Sequence, residues 1–271
     1  MDTRVFIKEN AKLINSINNQ IGLGMLSFSQ FIIESKERTE RQENGFIQAI
    51  KQAVEMNMGK PIKLVTSEGT TLNVVGAEKY KGRQASGSEP YTDVTLLTSK
   101  GVLNLSMKGT SAPSLAGGGL RGIEEIIPGI AARFFRTALK THLNNGLKLG
   151  EKVPDLYAKL NDEDKKLLVI GNTAMGGPIH YMYIGPMEVK YTFKDGTIKV
   201  NGKLIEANKY SDSKDLFFRL RARRTDQGFD PEASDRNGMP KIYGKSPSKG
   251  DSSGRLVITD KVPKVRGIIE F

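Results

Sequence analysis

The chain contains no cysteine, which excludes disulfides, thiolate metal sites and a thiol nucleophile. Histidine is almost as scarce. His142 and His180 are the only two in 271 residues, too few for a multi-histidine zinc site within one chain. No apolar run reaches the length of a membrane span, and the N-terminus lacks the apolar stretch of a signal peptide. These absences set the expectation of a soluble, intracellular, cytoplasmic protein. What is abundant is positive charge. Lys and Arg number 41 against 30 Asp and Glu, a net +11 with a pI near 9.6. Such an excess favours polyanionic partners, and its placement along the chain decides whether that matters.

Apolar periodicity predicts a helix over 4–20 and a second helical region over about 27–55. The second has a highly charged centre and a better-defined part from Thr39 to Val54, where Phe46, Ile47, Ile50 and Val54 share a face. Glu40 and Glu43 stand one turn apart on the way in, and Gly59-Lys60-Pro61 stops the helix. From Lys63 the period shortens to two. KLVTSEGTTLNVVGAEKY reads as two short strands, and EPYTDVTLLTSKGVLNLSMKGT, residues 89–110, as a hairpin with strands 92–98 and 102–108. A Gly- and Ser-rich loop follows, then a helical stretch from Leu120 to Leu149 broken or kinked at Pro128-Gly129. LLVIG reads as a short buried strand, HYMYIGPMEVKYTFKDGTIKVNGKLI as β-rich, DLFFRLRARR as a strand and RGIIEF as a closing strand. The order predicts an α/β (α+β) fold with a central mixed sheet flanked by helices. It also predicts an N-terminal helical segment over 1–38, a core over 39–190 and a basic, β-rich C-terminal region over 191–271 packed on that core.

Chemistry concentrates in the hairpin. Side chains alternate along a strand, so Ser106 and Lys108 share a face, and folding at Ser99–Gly101 returns Lys108 beside Asp93. A carboxylate there can hold a divalent ion through oxygen, and a lysine can steady a developing anion or orient a water. The plain alternative is a cross-strand ion pair.

Glu89-Pro90-Tyr91-Thr92-Asp93 followed by LNLSMKG resembles the core of the PD-(D/E)XK nuclease superfamily, the restriction-endonuclease-like proteins. The family's order is helix, three antiparallel strands, helix, strand, and it fits residues 39–175, about half of the chain. The resemblance implies metal-dependent hydrolysis of DNA phosphodiesters, as in restriction or phage DNA processing in a bacterial or phage-infected cell. Mg²⁺ would be the ion and Mn²⁺ its substitute, with no small-molecule cofactor. It implies Asp93 as main metal ligand, Lys108 as catalytic lysine and Glu43 as the helix acid, with Glu40 in reserve. The backbone carbonyl of Met107 would be a further ligand, and a homo-oligomer is compatible. The chain departs from the pattern at Ser106, where the family has an acid. Some restriction enzymes with Ser-x-Lys recover the charge from the following helix, where Glu124 and Glu125 stand 16 and 17 residues after Lys108.

Several segments are candidates for DNA contact. GTSAPSLAGGGLRG has the composition of a phosphate loop but lacks the lysine of GxxxxGK[ST]. It reads instead as a connection whose backbone N–H groups, with Ser111, Ser114 and Arg121, could meet a phosphate. Arg133, Arg136 and Lys140 share a helix face, which could contact phosphate or be merely solvated. FRLRARR sets Arg219, Arg221 and Arg223 on one side of a strand opposite Phe218, Leu220 and Ala222, and arginine suits bidentate contact to phosphate or guanine. Arg224, Arg236, Lys241, Lys245 and Lys249 extend the basic surface. His180 and the Tyr181-Met182-Tyr183 alternation read as core packing. From a different class comes a catalytically inactive DNA-binding or virion-assembly protein on the same fold, with Ser106 marking a decayed site.

Overall fold

The computed structural model describes residues 28–82, 90–110, 119–146, 155–221, 226–234, 240–244, 255–259 and 268–271. The helix expected over 4–20, and the loop residues Ser111 and Ser114, lie outside them. Helix α1 (Phe28–Met56) runs without a break through its charged centre. Phe46, Ala49, Ile50 and Ala53 recur at helical spacing and are all but fully buried, so packing of this stripe outweighs the local charge. Met58 and Gly59 take left-handed conformations, and the Gly59 N–H donates to the Val54 carbonyl, which ends the helix.

Four strands then meander antiparallel: β1 (Ile62–Val65), β2 (Thr71–Lys79), β3 (Val94–Thr98) and β4 (Gly101–Gly109). The β3–β4 hairpin closes on Ser99-Lys100, within two residues of every expected strand boundary, with Gly101 at φ 129°. Two helices follow, α2 (Gly119–Ile126) and α3 (Ile130–Asn144), separated at Pro128-Gly129 as the sequence predicts. The chain continues through β5 (Leu156–Lys159), α4 (Asp162–Ile170), a short 3₁₀ turn at Thr173–Met175 and β6 (Tyr181–Gly185). Strand β6 lies parallel to β4, with Leu105 opposite Tyr181 and Lys108 opposite Ile184.

Strands β7 (Tyr191–Lys194), β8 (Thr197–Val200) and β9 (Lys203–Glu206) complete an eight-stranded mixed sheet in the order β7-β8-β1-β2-β3-β4-β6-β9. The expected boundary at residue 190 therefore falls within this sheet. After α5 (Ala207–Asp212), β10 (Phe217–Arg221) forms the centre of a three-stranded sheet between β5 and β13 (Arg255–Thr259), while β11 (Asp226–Ser234) and β12 (Pro240–Gly244) form a hairpin.

Two cores result. On one face of the large sheet α1 packs Phe46 and Ile50 onto Leu64, Val74, Leu96, Leu105 and Tyr183, with the Phe46 and Tyr183 rings edge to face at 5.2 Å. The opposite face, carrying Met182 and Ile184, supports α2 to α5 and the three-stranded sheet around Phe134, Phe135 and Phe218. The aromatic residues behave as core, and Tyr183 has its phenol pKa pushed up to about 12 by burial.

Two expectations are corrected. LLVIG is the second half of α4, not a strand, because Asn161 caps the helix by accepting from the Asp164 N–H at 2.8 Å. Asp162, Glu163 and Asp164 sit in its first turn, where the helix dipole favours them. RGIIEF contributes, among the described residues, a single bridge from Ile268 to Tyr157 rather than a strand.

Candidate functional site

The end of the large sheet where β3 begins and β4 and β6 finish gathers the chemistry. Asp93 precedes β3, its N–H donates to the Leu105 carbonyl at 2.9 Å, and its carboxylate turns toward β4. There Oδ2 accepts from the Met107 N–H at 2.5 Å and from the Ser106 hydroxyl at 3.3 Å. Ser106 is therefore the partner of Asp93, and it is buried. In a strand the N–H and C=O of one residue point to the same side, so the Met107 carbonyl lies on the β3 side of β4 as its N–H does.

Strand parity separates the side chains. Leu105 and Met107 face α1, so Ser106 and Lys108 face the other layer, the one bearing α2. Lys108 is half-buried, and among the described residues no carboxylate lies within ion-pair distance of its ammonium. The simple Asp93–Lys108 ion pair is thus not what this hairpin builds. Its carbonyl accepts from Gln42 Nε2 at 3.3 Å, and the same amide reaches the carbonyls of Gly185 at 2.9 Å and Pro186 at 3.2 Å. Gln42, buried on α1, thereby ties the ends of β4 and β6 to the helix.

Glu43, the next residue, is 5 % exposed. Its Oε2 lies 3.0 Å from Nζ of Lys79, the last residue of β2. The hydrogen bond and charge of Glu43, with the charges of Glu40 and Asp93, raise the Lys79 pKa above its ordinary 10.5 against an opposing effect of burial. Lys79 thus sits in the field of three carboxylates at this end of the sheet.

The two acids proposed to replace Ser106 differ. Glu124 is committed elsewhere: its carboxylate accepts from the N–H groups of Gly129 at 2.5 Å and Ala132 at 3.0 Å, capping α3. Both oxygens of the Glu124 carboxylate are thus engaged at the start of α3. Glu125 has an Oε2 that is buried and, among the described residues, has no hydrogen-bond partner. The Glu125 carbonyl accepts from Asn172 at 3.1 Å. The 3₁₀ turn beyond Asn172 in turn receives Asp93's neighbours: Tyr91 N–H donates to Met175 O at 2.8 Å, and the Thr92 hydroxyl to Gly176 O. Glu125 therefore belongs to the layer toward which Ser106 and Lys108 point.

Of the six arginines expected to meet DNA, the three whose side chains are described, Arg133, Arg136 and Arg219, have partners within the protein. Arg133 lies over the Phe271 ring at 5.3 Å. Arg136 Nε donates to the Pro231 carbonyl at 3.0 Å, and Lys140 pairs with Glu232 at 2.5 Å, so this face of α3 seats β11. Arg219 stands opposite buried Phe218 and Leu220 as expected, three-quarters buried, with Nε 3.9 Å from Asp155. It lies on the central strand of its sheet rather than on an edge. For Arg121 and Arg221 only the backbone is described, in α2 and β10, and Arg223 lies outside the described residues. His180 is satisfied: Nδ1 accepts from the Asn104 N–H at 3.0 Å, and burial lowers its pKa.

Lys79 and Gln42 are the site residues that sequence reasoning missed. Neither carries a local signal, since each matters only once α1 docks across the strand ends. No protein-family model matches the chain, and no curated protein or solved structure matches it either.

Proposed function

We propose that the chain is a metal-dependent DNA endonuclease with a restriction-endonuclease-like core, acting at the corner formed by Asp93, Ser106, Met107 and Lys108. The observation that carries the reading is the pairing of a fixed carboxylate with an uncommitted lysine. Asp93 is locked onto the Met107 N–H, and Lys108, on the same face of the sheet, lacks a carboxylate partner among the described residues. Support comes from the order of elements, a helix, antiparallel strands, helices and a strand parallel to the last of them, which resembles the order expected of the family but has a fourth strand in the meander and β5 and α4 before the parallel strand. The carboxyl ends of parallel strands are also where open α/β sheets commonly take ligands.

The donor set suits a hard divalent cation. Asp93, the Glu125 oxygen that lacks a hydrogen-bond partner among the described residues, and the Met107 carbonyl are all oxygen donors. Among the described residues no three Asp, Glu or His side chains converge as a metal group. Mg²⁺ does not require three, since it is often held by one or two carboxylates with water and substrate phosphate. When bound, the ion would supply a polarised phosphoryl oxygen and an acidified water. Ser106 keeps Asp93 oriented by donating to Oδ2. Lys108 places a positive charge where the phosphate gains negative charge, a contribution strongest in a site shielded from water. The net charge of +11 would draw the DNA backbone in.

Incubation with supercoiled plasmid and Mg²⁺ or Mn²⁺ tests this. Nicking should fall by about 10²–10³-fold in Asp93→Ala and Lys108→Ala, the scale of losing one stabilising group in an active site. Glu125→Gln should also lose cutting, and Glu124→Gln should lose stability instead. A second reading, DNA binding without catalysis, is favoured by two observations: Ser106 stands where the family has an acid, and Lys79 occupies Glu43. No cleavage by the wild type, together with a salt-sensitive gel shift, would select it.

A further inference from the structure

We propose that Lys79 is an internal counter-ion that a divalent metal must displace from Glu43, so that this lysine sets the metal affinity of the corner. The inference rests on the metal-dependent reading above and adds a residue to it.

A carboxylate as enclosed as Glu43 needs a compensating charge, because desolvation of an unpaired ion outweighs most local gains. Lys79 supplies that charge at 3.0 Å. The two partners are unequal: the Glu43 side chain is 7 % exposed and that of Lys79 51 %. The acid is therefore fixed by packing on α1, while the ammonium sits at the end of a flexible four-carbon stem with an open route to solvent. Glu40, one turn earlier, and Asp93, across the strand end, act on the same ammonium. The Lys79 charge is thus felt by three carboxylates and paired at 3.0 Å with one of them, Glu43, where a doubly charged ion would compete with it.

The contrast with Lys108 sharpens the assignment. Both lysines lie at the same end of the sheet. Lys108 faces the layer of Glu125 and has no carboxylate partner among the described residues, which suits a group kept for substrate. Lys79 faces α1 and is held by the helix acid. Glu43 would then join the metal only after Lys79 leaves.

The test is Mn²⁺ binding to the full chain without DNA, followed by calorimetry and by the paramagnetic resonance of the free ion. Lys79→Met should bind Mn²⁺ about tenfold more tightly than the wild type, a change of about 1.4 kcal/mol. Lys79→Gln, which keeps a hydrogen bond to Glu43 without the charge, should show the same gain and covers the case in which the methionine variant folds poorly. Lys79→Arg should stay near the wild type. Glu43→Gln should weaken binding, and in combination with Lys79→Met the gain should vanish, which a double-mutant cycle reads directly. Equal or weaker binding by both neutral variants, with Asp93→Ala still lowering affinity, would overturn the role of Lys79 and leave the site intact. Mn²⁺ binding indifferent to Asp93 in every variant would instead sink the metal site itself, and this inference with it.

Discussion

At the end of the large sheet Lys108 has no carboxylate partner among the described residues, whereas across the core Arg136 and Lys140 are bound to the Pro231 carbonyl and to Glu232. Both regions are basic in sequence. They differ in what surrounds the charge. Around α3 and β10 Arg133 lies over a tight aromatic cluster, with Phe134, Phe218 and Phe271 rings 5.1–5.6 Å apart, while Arg136 and Lys140 hold β11 against α3. At the sheet end the nearby groups are acids set at strand and helix positions that packing fixes. Charge density therefore does not locate a site. The strongest way to break the comparison is through packing. Phe134→Ala should cost about 3–5 kcal/mol in denaturant unfolding, since it opens a cavity at a fully buried ring. Asp93→Ala should cost less, about 1–3 kcal/mol, because it takes the acceptor from the Met107 N–H and the Ser106 hydroxyl without opening a cavity the size of a ring. If the two were equally destabilising, the sheet end would be as structural as the aromatic cluster.

The arginines give a second and smaller contrast. Arg136→Gln should lower stability by about 1–2 kcal/mol, the scale of losing a charge-assisted hydrogen bond. It should leave DNA affinity and its salt dependence unchanged, because its guanidinium is already engaged with β11. Lys108→Gln should do the reverse, with little change in melting temperature and a salt slope lower by about one. Electrophoretic shifts at several salt concentrations measure both. A shallower slope in Arg136→Gln would return the α3 face to the DNA-binding surface.

How much of this was legible in the sequence depends on whether the signal was local. The β3–β4 hairpin was, because alternation and the Ser-Lys-Gly turn lie within one stretch, and so was the break at Pro128-Gly129. Helix α4 was misread although its signals were present: Asn161 as cap, acids in the first turn and Gly171 at the exit. The apolar run LLVIG outweighed them. The commitment of Arg136 to a strand 95 residues away could not be read from helix spacing, which shows only that the cations share a face. The same holds for Lys79, which meets Glu43 only because α1 crosses the end of β2. Sequence separated the two acids after the Gly-rich loop by one position and could not rank them. The turn at Pro128-Gly129 gives them different surroundings, by bringing the α3 N–H groups onto Glu124.

The finest contrast is acid sensitivity. His142, in the last turn of α3, is 4 % exposed, and its Nε2 has no hydrogen-bond partner among the described residues. Burial lowers its pKa below 6.5, and the charge of Asp155 opposes that only in part. The folded protein therefore keeps His142 neutral at a pH where the unfolded chain already takes up a proton. Between the lowered folded value and 6.5 the unfolded state binds more protons, so stability is fully present above about 6.5 and falls as the pH drops. The loss from this one group should be no more than about 1 kcal/mol at pH 6. His180 adds a loss of the same sign, since protonating Nδ1 would break its bond from Asn104 beside the hairpin. Melting temperatures from pH 8 to 5 should show a decline that shrinks in His142→Leu and shrinks further when His180→Asn is added. If His142→Leu kept the full decline while His180→Asn removed it, the acid-sensitive element would be the β4–β6 side of the molecule, not the aromatic body.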